Sequence, residues 1–303
     1  MKLSRLFLII LLIGIFFVPE QNIVNATLFN SKKRLMNSTN FSTWLWNTNE
    51  IINNSDNIID FLSENKVKTL YLQIDYNLDY DHYNNFINKA YENNIIVEAL
   101  DGSPAWVSPD GTLLQNNFFH WLNDYQKNSP INARFKGVHL DVEPYGYDEY
   151  NINQDEVISR FQDCLLKSKD ICNQLNLNLA IDIPFWFNEV EFNTSYGNGN
   201  LAEWIFKNIK SISIMSYRDT ANGDNGIIKI TKNEINLAKR YNVKSTLAIE
   251  TTDVNDGTHL TFFDQGQNYM YKELNKVYLN YKTNSSFNGF SIHSLESWIN
   301  MKS

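Results

Sequence analysis

The chain has 303 residues, 43% of them hydrophobic and 14% aromatic, with a formal net charge of -8. That apolar content suffices for one large core. No Lys/Arg-rich block occurs, which disfavours a nucleic-acid partner, because phosphate binding leaves a basic footprint.

At the N-terminus Lys2 and Arg5 precede an unbroken apolar run from Leu6 to Val18, and Val24-Asn25-Ala26 follows a polar stretch. This is the pattern of a signal peptide over residues 1–26, and the run is short for a membrane span. An uncleaved anchor is the competing expectation. Either way residues 27–303 cross a membrane, so a secreted or cell-surface protein is expected. No later segment has the length and apolarity of a further membrane insertion.

From there an apolar, β-branched run, a polar loop and a helical pattern recur. Strands are expected over 42–47, 67–75, 95–101, 137–143, 177–185, 211–217, 245–250 and 287–293. Their continuous apolar character suits parallel strands covered by helices. Apolar stripes at helical spacing predict helices over 80–93, 156–175, 232–241 and 268–281. Cys164 and Cys172 lie on one of them, about 12 Å apart along its axis, too far for a mutual disulfide. Both are expected in the core. Eight such units without a Pro/Gly/Ser linker predict a single (β/α)8 barrel in the α/β class. The runner-up is an open doubly wound sheet, but no Gly-rich phosphate loop follows an early strand. Gly102 and Gly111 look like ordinary turn glycines.

Barrel active sites lie at the C-terminal ends of the strands. The fourth strand carries the densest chemistry there. His139, Asp141 and Glu143 alternate, so they share one face, while Val138, Leu140 and Val142 take the other. Ionisable groups inside a barrel are costly without a purpose. Asp141 beside Glu143 makes a close carboxylate pair, in which repulsion and partial burial raise one pKa and create a general acid. The bland alternative is a buried polar network bracing the barrel. Asp75, Asp101, Asp182, Tyr217, Asp219 and Glu250 fall at other strand ends. Trp44, Trp46, Trp106, Tyr145, Trp186, Tyr217 and Trp298 supply flat faces of the kind that stack on sugar rings. About half of these aromatics are expected to be ordinary packing residues.

The run Gly137-Val138-His139-Leu140-Asp141-Val142-Glu143 resembles the fourth-strand signature of the chitinase-like glycoside hydrolases of family 18. Met215-Ser216-Tyr217 resembles that family's sixth-strand segment, and Trp298 its terminal pocket-floor Trp. The resemblance implies that Glu143 protonates the glycosidic oxygen and later activates water. It implies that Asp141 orients a substrate N-acetyl group whose carbonyl oxygen is the nucleophile, that Tyr217 hydrogen-bonds that group, and that Trp298 lies beneath the sugar. His139 stands where the family has an acid, and Leu100-Asp101-Gly102-Ser103 replaces its third-strand Ser-x-Gly-Gly segment.

Val142-Glu143-Pro144 also resembles the fourth-strand end of the retaining glycosidases that use two carboxylates. Glu250 would then be the nucleophile, with a carboxyl separation of about 5 Å. A third possibility is a catalytically silent barrel that binds glycan, for which His139 is the motive. Metal chemistry ranks lower, since no His-x-His or His-Glu-x-x-His spacing occurs among candidates such as Asp75, Asp101, His139, Asp141 and His293. No Gly-x-Ser-x-Gly elbow is present. The expectation is therefore a retaining glycoside hydrolase without cofactor or metal. Its substrate is a polysaccharide or oligosaccharide, with an extracellular N-acetylhexosamine polymer favoured.

Overall fold

The computed structural model describes residues 32–254 and 257–302. The expected leader over 1–26 lies outside them. Eight strands form a closed barrel, in the order β1 (Phe41–Leu45), β2 (Val67–Gln73), β3 (Ile96–Asp101), β4 (Gly137–Leu140), β5 (Asn178–Pro184), β8 (Ser211–Met215), β9 (Lys244–Glu250) and β10 (Phe287–His293), which pairs back with β1. Every neighbouring pair in the barrel is parallel. Helices on the outside make this a (β/α)8 barrel, as the sequence pattern predicts.

The strands look uniformly apolar in sequence, but their two faces do different work. Leu70 and Leu72, Val138 and Leu140, Ile181 and Ile183, Ile212 and Ile214, and Leu247 and Ile249 all face outward into the layer beneath the helices. The alternate positions fill the barrel interior, where Trp44, Tyr71, Leu100, Met215 and Ala248 form a separate apolar cluster with Trp46 and Tyr217 at its edge. Small residues such as Ala180, Ser213 and Ala248 leave room for the large rings. Gly289, within β10 and facing the start of β1, has φ +110, and a Cβ there would come within 2.1 Å of the Asn40 carbonyl oxygen. The closing seam therefore requires glycine.

The helices Tyr80–Glu92, Gln154–Leu175, Lys232–Tyr241 and Gly266–Tyr281 fall where the stripes place them. Two of them end on left-handed Asn residues, Asn176 and Asn242, which turn the chain into β5 and β9. Cys164 and Cys172 are free and buried on the same helix. The hairpin of β6 (Glu191–Thr194) and β7 (Gly197–Asn200) was not legible in sequence. It is short and polar, and only Phe192 of its residues is buried. It follows β5 and is tied to the helix Gln154–Leu175 through Thr194 Oγ1, which donates to Gln162 Oε1. No helix among the described residues is long and apolar enough to cross a membrane.

Candidate active site

Ladder pairing of β4 stops at Leu140, but the extended chain continues two residues further. The Asp141 amide donates to the Asp101 carbonyl at 3.0 Å, holding the strand end against β3. Val142 then packs outward, so Asp141 and Glu143 project to the barrel mouth. Gly102 makes this approach possible: it has φ +142, and a Cβ would lie 2.4 Å from the Asp141 carbonyl oxygen. It is a close-approach glycine rather than the ordinary turn glycine expected.

The carboxyl pair is asymmetric. Asp141 is pushed well above the usual carboxylate range, first by burial and then by the charges of Asp182 and Glu143. Its Oδ1 is buried without a hydrogen-bond partner. Glu143 Oε1 accepts the hydroxyl of Tyr145, whose ring meets Trp186 edge-on at 5.0 Å. Across the mouth, Tyr217 lies two residues beyond the end of β8. Burial, then the charges of Glu250, Asp182, Asp141 and Glu143, raises its phenol, so it stays a neutral donor facing four carboxyls.

Glu250 is equipped in the opposite way. Its Oε1 accepts the Thr251 and Thr252 amides at 2.8 and 2.7 Å, and its Oε2 accepts His293 Nδ1 at 2.9 Å. Burial alone would raise its pKa, but these donors outweigh it and hold the carboxyl below the ordinary value. His293 in turn accepts Trp46 Nε1 at 3.0 Å. Glu296 accepts the Trp46 and Asn47 amides and fixes that corner.

Several expected substrate contacts sit elsewhere. Trp298 is fully buried in the layer outside the barrel, edge-on to Phe61 at 5.2 Å, and cannot floor a sugar site. Its helix, Leu295–Asn300, turns Leu295 and Trp298 to the same buried face. Trp106 is likewise a core residue, packed on Phe118. His139 is fully buried, stacked on Tyr71 at 3.7 Å, with Nε2 at 2.7 Å from Asp182 Oδ2. Asp182 Oδ2 also accepts Trp44 Nε1 at 3.1 Å, so these groups lie beneath the mouth rather than in it. Asp75 caps its own turn by accepting the Asn77 amide. Asp219 Oδ2 accepts Gln265 Nε2 and braces a loop. Asp101 accepts the Gly102 amide and the hydroxyl of Tyr76, an exposed ring that the sequence did not single out. Among the described residues no three His, Cys, Asp or Glu side chains converge with metal-binding geometry.

A closed (β/α)8 barrel with ionisable groups converging at its C-terminal mouth defines the class of scaffold. No family model matches the sequence, and no curated protein matches it. Among solved structures the chain is similar to a family 18 chitinase from Cycas revoluta in complex with (GlcNAc)4, at 10% identity and TM-score 0.51 over 86% of this chain and 96% of that one. It is similar to the PgaB (BpsB) glycoside hydrolase domain from Bordetella bronchiseptica, at 11% identity and TM-score 0.51 over 87% and 95%. The likeness is one of fold: the chain shares the (β/α)8 barrel of these two proteins.

Proposed function

We propose that the protein is a retaining glycoside hydrolase acting on an N-acetylhexosamine-containing polysaccharide, with Glu143 as general acid and base. The observation that carries this reading is the Asp141–Glu143 arrangement: a buried carboxyl with an unpartnered oxygen, its pKa raised by burial and by neighbouring acids, two residues from a second carboxyl at the mouth. The Cycas fold neighbour, solved with (GlcNAc)4, favours the sugar class.

The chemistry then follows from the groups present. An acetamido N–H beside Asp141 favours the ionised form of that carboxyl, and its proton passes to Glu143. Glu143 delivers it to the glycosidic oxygen as the C1–O bond breaks. The acetamido carbonyl oxygen bonds to C1, and Tyr217 donates its hydroxyl to that group. Water then attacks C1, the bond to the acetamido oxygen breaks, and the water proton returns to Glu143. Net hydrolysis leaves the enzyme unchanged, with configuration retained. Trp46, Tyr145 and Trp186 line the path of the sugar.

The two-carboxylate alternative asks Glu250 to be the nucleophile. Both of its oxygens already accept strong donors, which favours the substrate-assisted route. Residues 1–26 act as the export signal in this reading, matching a polymer outside the cell; mass spectrometry of the secreted protein tests the cleavage. For the activity itself, reducing-end release from chito-oligosaccharides is measured. The wild type is expected to cleave, and Glu143→Gln to lose turnover by about 10²–10⁴-fold while still binding the oligosaccharide in calorimetry. Near-full turnover in that variant rejects the assignment.

A further inference from the structure

Asp182 was expected to touch substrate, yet it is only 4% exposed and lies below the mouth. The ladder between β4 and β5 pairs His139 with Ala180 and Leu140 with Ile181. The next step of that register sets Asp141 beside Asp182. Both side chains point inward, since each shares the parity of an interior residue, His139 for one and Ala180 for the other. Neighbouring strands lie about 4.8 Å apart, so the two carboxyls are adjacent on one face.

Their hydrogen bonding is complementary. Asp182 Oδ2 is fixed by Trp44 Nε1 and His139 Nε2, while Asp182 Oδ1 is buried without a partner. Asp141 Oδ1 is buried without a partner too. Two orphaned carboxyl oxygens on adjacent in-register residues satisfy each other if one proton lies between them, and repel if none does.

We propose that Asp182 is a positioning residue, clamped by His139 and Trp44, which shares one proton with Asp141 and thereby holds that carboxyl in the orientation and charge state from which the mouth chemistry starts. The proton sits on one oxygen and is accepted by the other, so the pair carries a single negative charge. Other groups face the pair from every side. Glu143 follows two residues after Asp141 beyond β4, and Tyr217 approaches from just past the end of β8. Behind His139, Glu98 of β3 approaches Nδ1 at 3.9 Å, and Tyr71 of β2 stacks on the ring. Glu98 and His139 open onto a cavity of about 350 Å³ at the opposite, N-terminal end of the barrel. Burial, partly offset by His139, pushes Glu98 up to about 7. His139 is thus the bridge between the buried acid below and the pair above.

The inference deepens the proposed hydrolase, but its decisive test requires no turnover. With Asp selectively labelled at Cγ with ¹³C, carboxyl titrations are followed by NMR in the wild type, Asp182→Asn and Asp141→Asn. Removing the like charge is expected to lower the midpoint of the surviving partner by about one to three pH units. The two variants are reciprocal, so if the more buried site fails to tolerate Asn, the other still reports. Unchanged midpoints overturn the shared proton. On the kinetic arm, Asp182→Asn should move the basic limb of the kcat/KM profile to lower pH, because the cluster then loses its proton earlier. A merely structural role would lower the rate without moving that limb. Linked titrations in a protein that cleaves no glycan would uphold the pair and reject the hydrolase. Cleavage with unlinked titrations would do the reverse.

Discussion

The ends of the fourth and seventh barrel strands each present a glutamate, and they are built for different tasks. At Glu250 every lone-pair direction of consequence is taken by an amide or by His293. Such a carboxylate is a held anion: it orders a loop and, through His293, the indole of Trp46. At the fourth strand Glu143 is touched by one phenol, and its neighbour Asp141 keeps an unsatisfied oxygen and a raised pKa. A saturated carboxyl stabilises the fold, whereas an under-satisfied one in a cleft is free to bind and exchange protons.

The sharpest way to break the contrast is Asp141→Asn. It removes the proton-sharing partner, and turnover on chito-oligosaccharides is expected to fall by about 10²–10⁴-fold, with the melting temperature little changed. Equal rates for variant and wild type would leave Asp141 without a role. Next is Gly102→Ala. A methyl 2.4 Å from the Asp141 carbonyl oxygen must displace that backbone, and a shift near 1 Å costs about 10²-fold in rate. Unimpaired kinetics in this variant would mean that the mouth tolerates a moved Asp141.

At the seventh strand the expected signature is reversed. Glu250→Gln weakens three charge-assisted hydrogen bonds, and denaturant titration should show a loss of about 1.5–3 kcal/mol, with turnover reduced less than tenfold by the same reasoning. A larger rate loss without a stability loss would move the nucleophile to Glu250.

The smallest effect concerns a buried acid remote from both ends. Glu234, on the helix Lys232–Tyr241, has two unpartnered oxygens and is pushed up to about 8 by burial. The fold therefore favours its protonated form. That stabilisation is complete below the ordinary value of 4.5 and is lost as pH rises toward about 8. Glu234→Gln should flatten the pH dependence of the melting temperature across that window; an unaltered slope would assign the dependence to other groups.

The barrel was legible because eight continuous apolar runs recur between polar loops and helical stripes, as parallel strands under helices require. The two-residue period of the fourth run placed Asp141 and Glu143 on one side. The sequence was least informative about aromatic destinations. Trp298 follows a strand, as a sugar platform would, but its three-residue spacing from Leu295 on a short helix buries it. Trp106 sits in the turn Pro104–Val107 and is captured by Phe118. Neither outcome follows from proximity to a strand end. The role of Asp182 was hidden for another reason: which residues of β4 and β5 lie side by side depends on register, which a single chain does not display. Gly102 looked generic because its importance is a contact with Asp141, 39 residues away in the chain.

The central claim is that chemistry belongs to the fourth strand and support to the seventh. Steady-state kcat for Glu143→Gln and Glu250→Gln, measured side by side on the same N-acetylated oligosaccharide, tests it most directly. Glu143→Gln is expected to be nearly inactive while Glu250→Gln keeps most of its turnover. Activity surviving in Glu143→Gln and vanishing in a folded Glu250→Gln would contradict it.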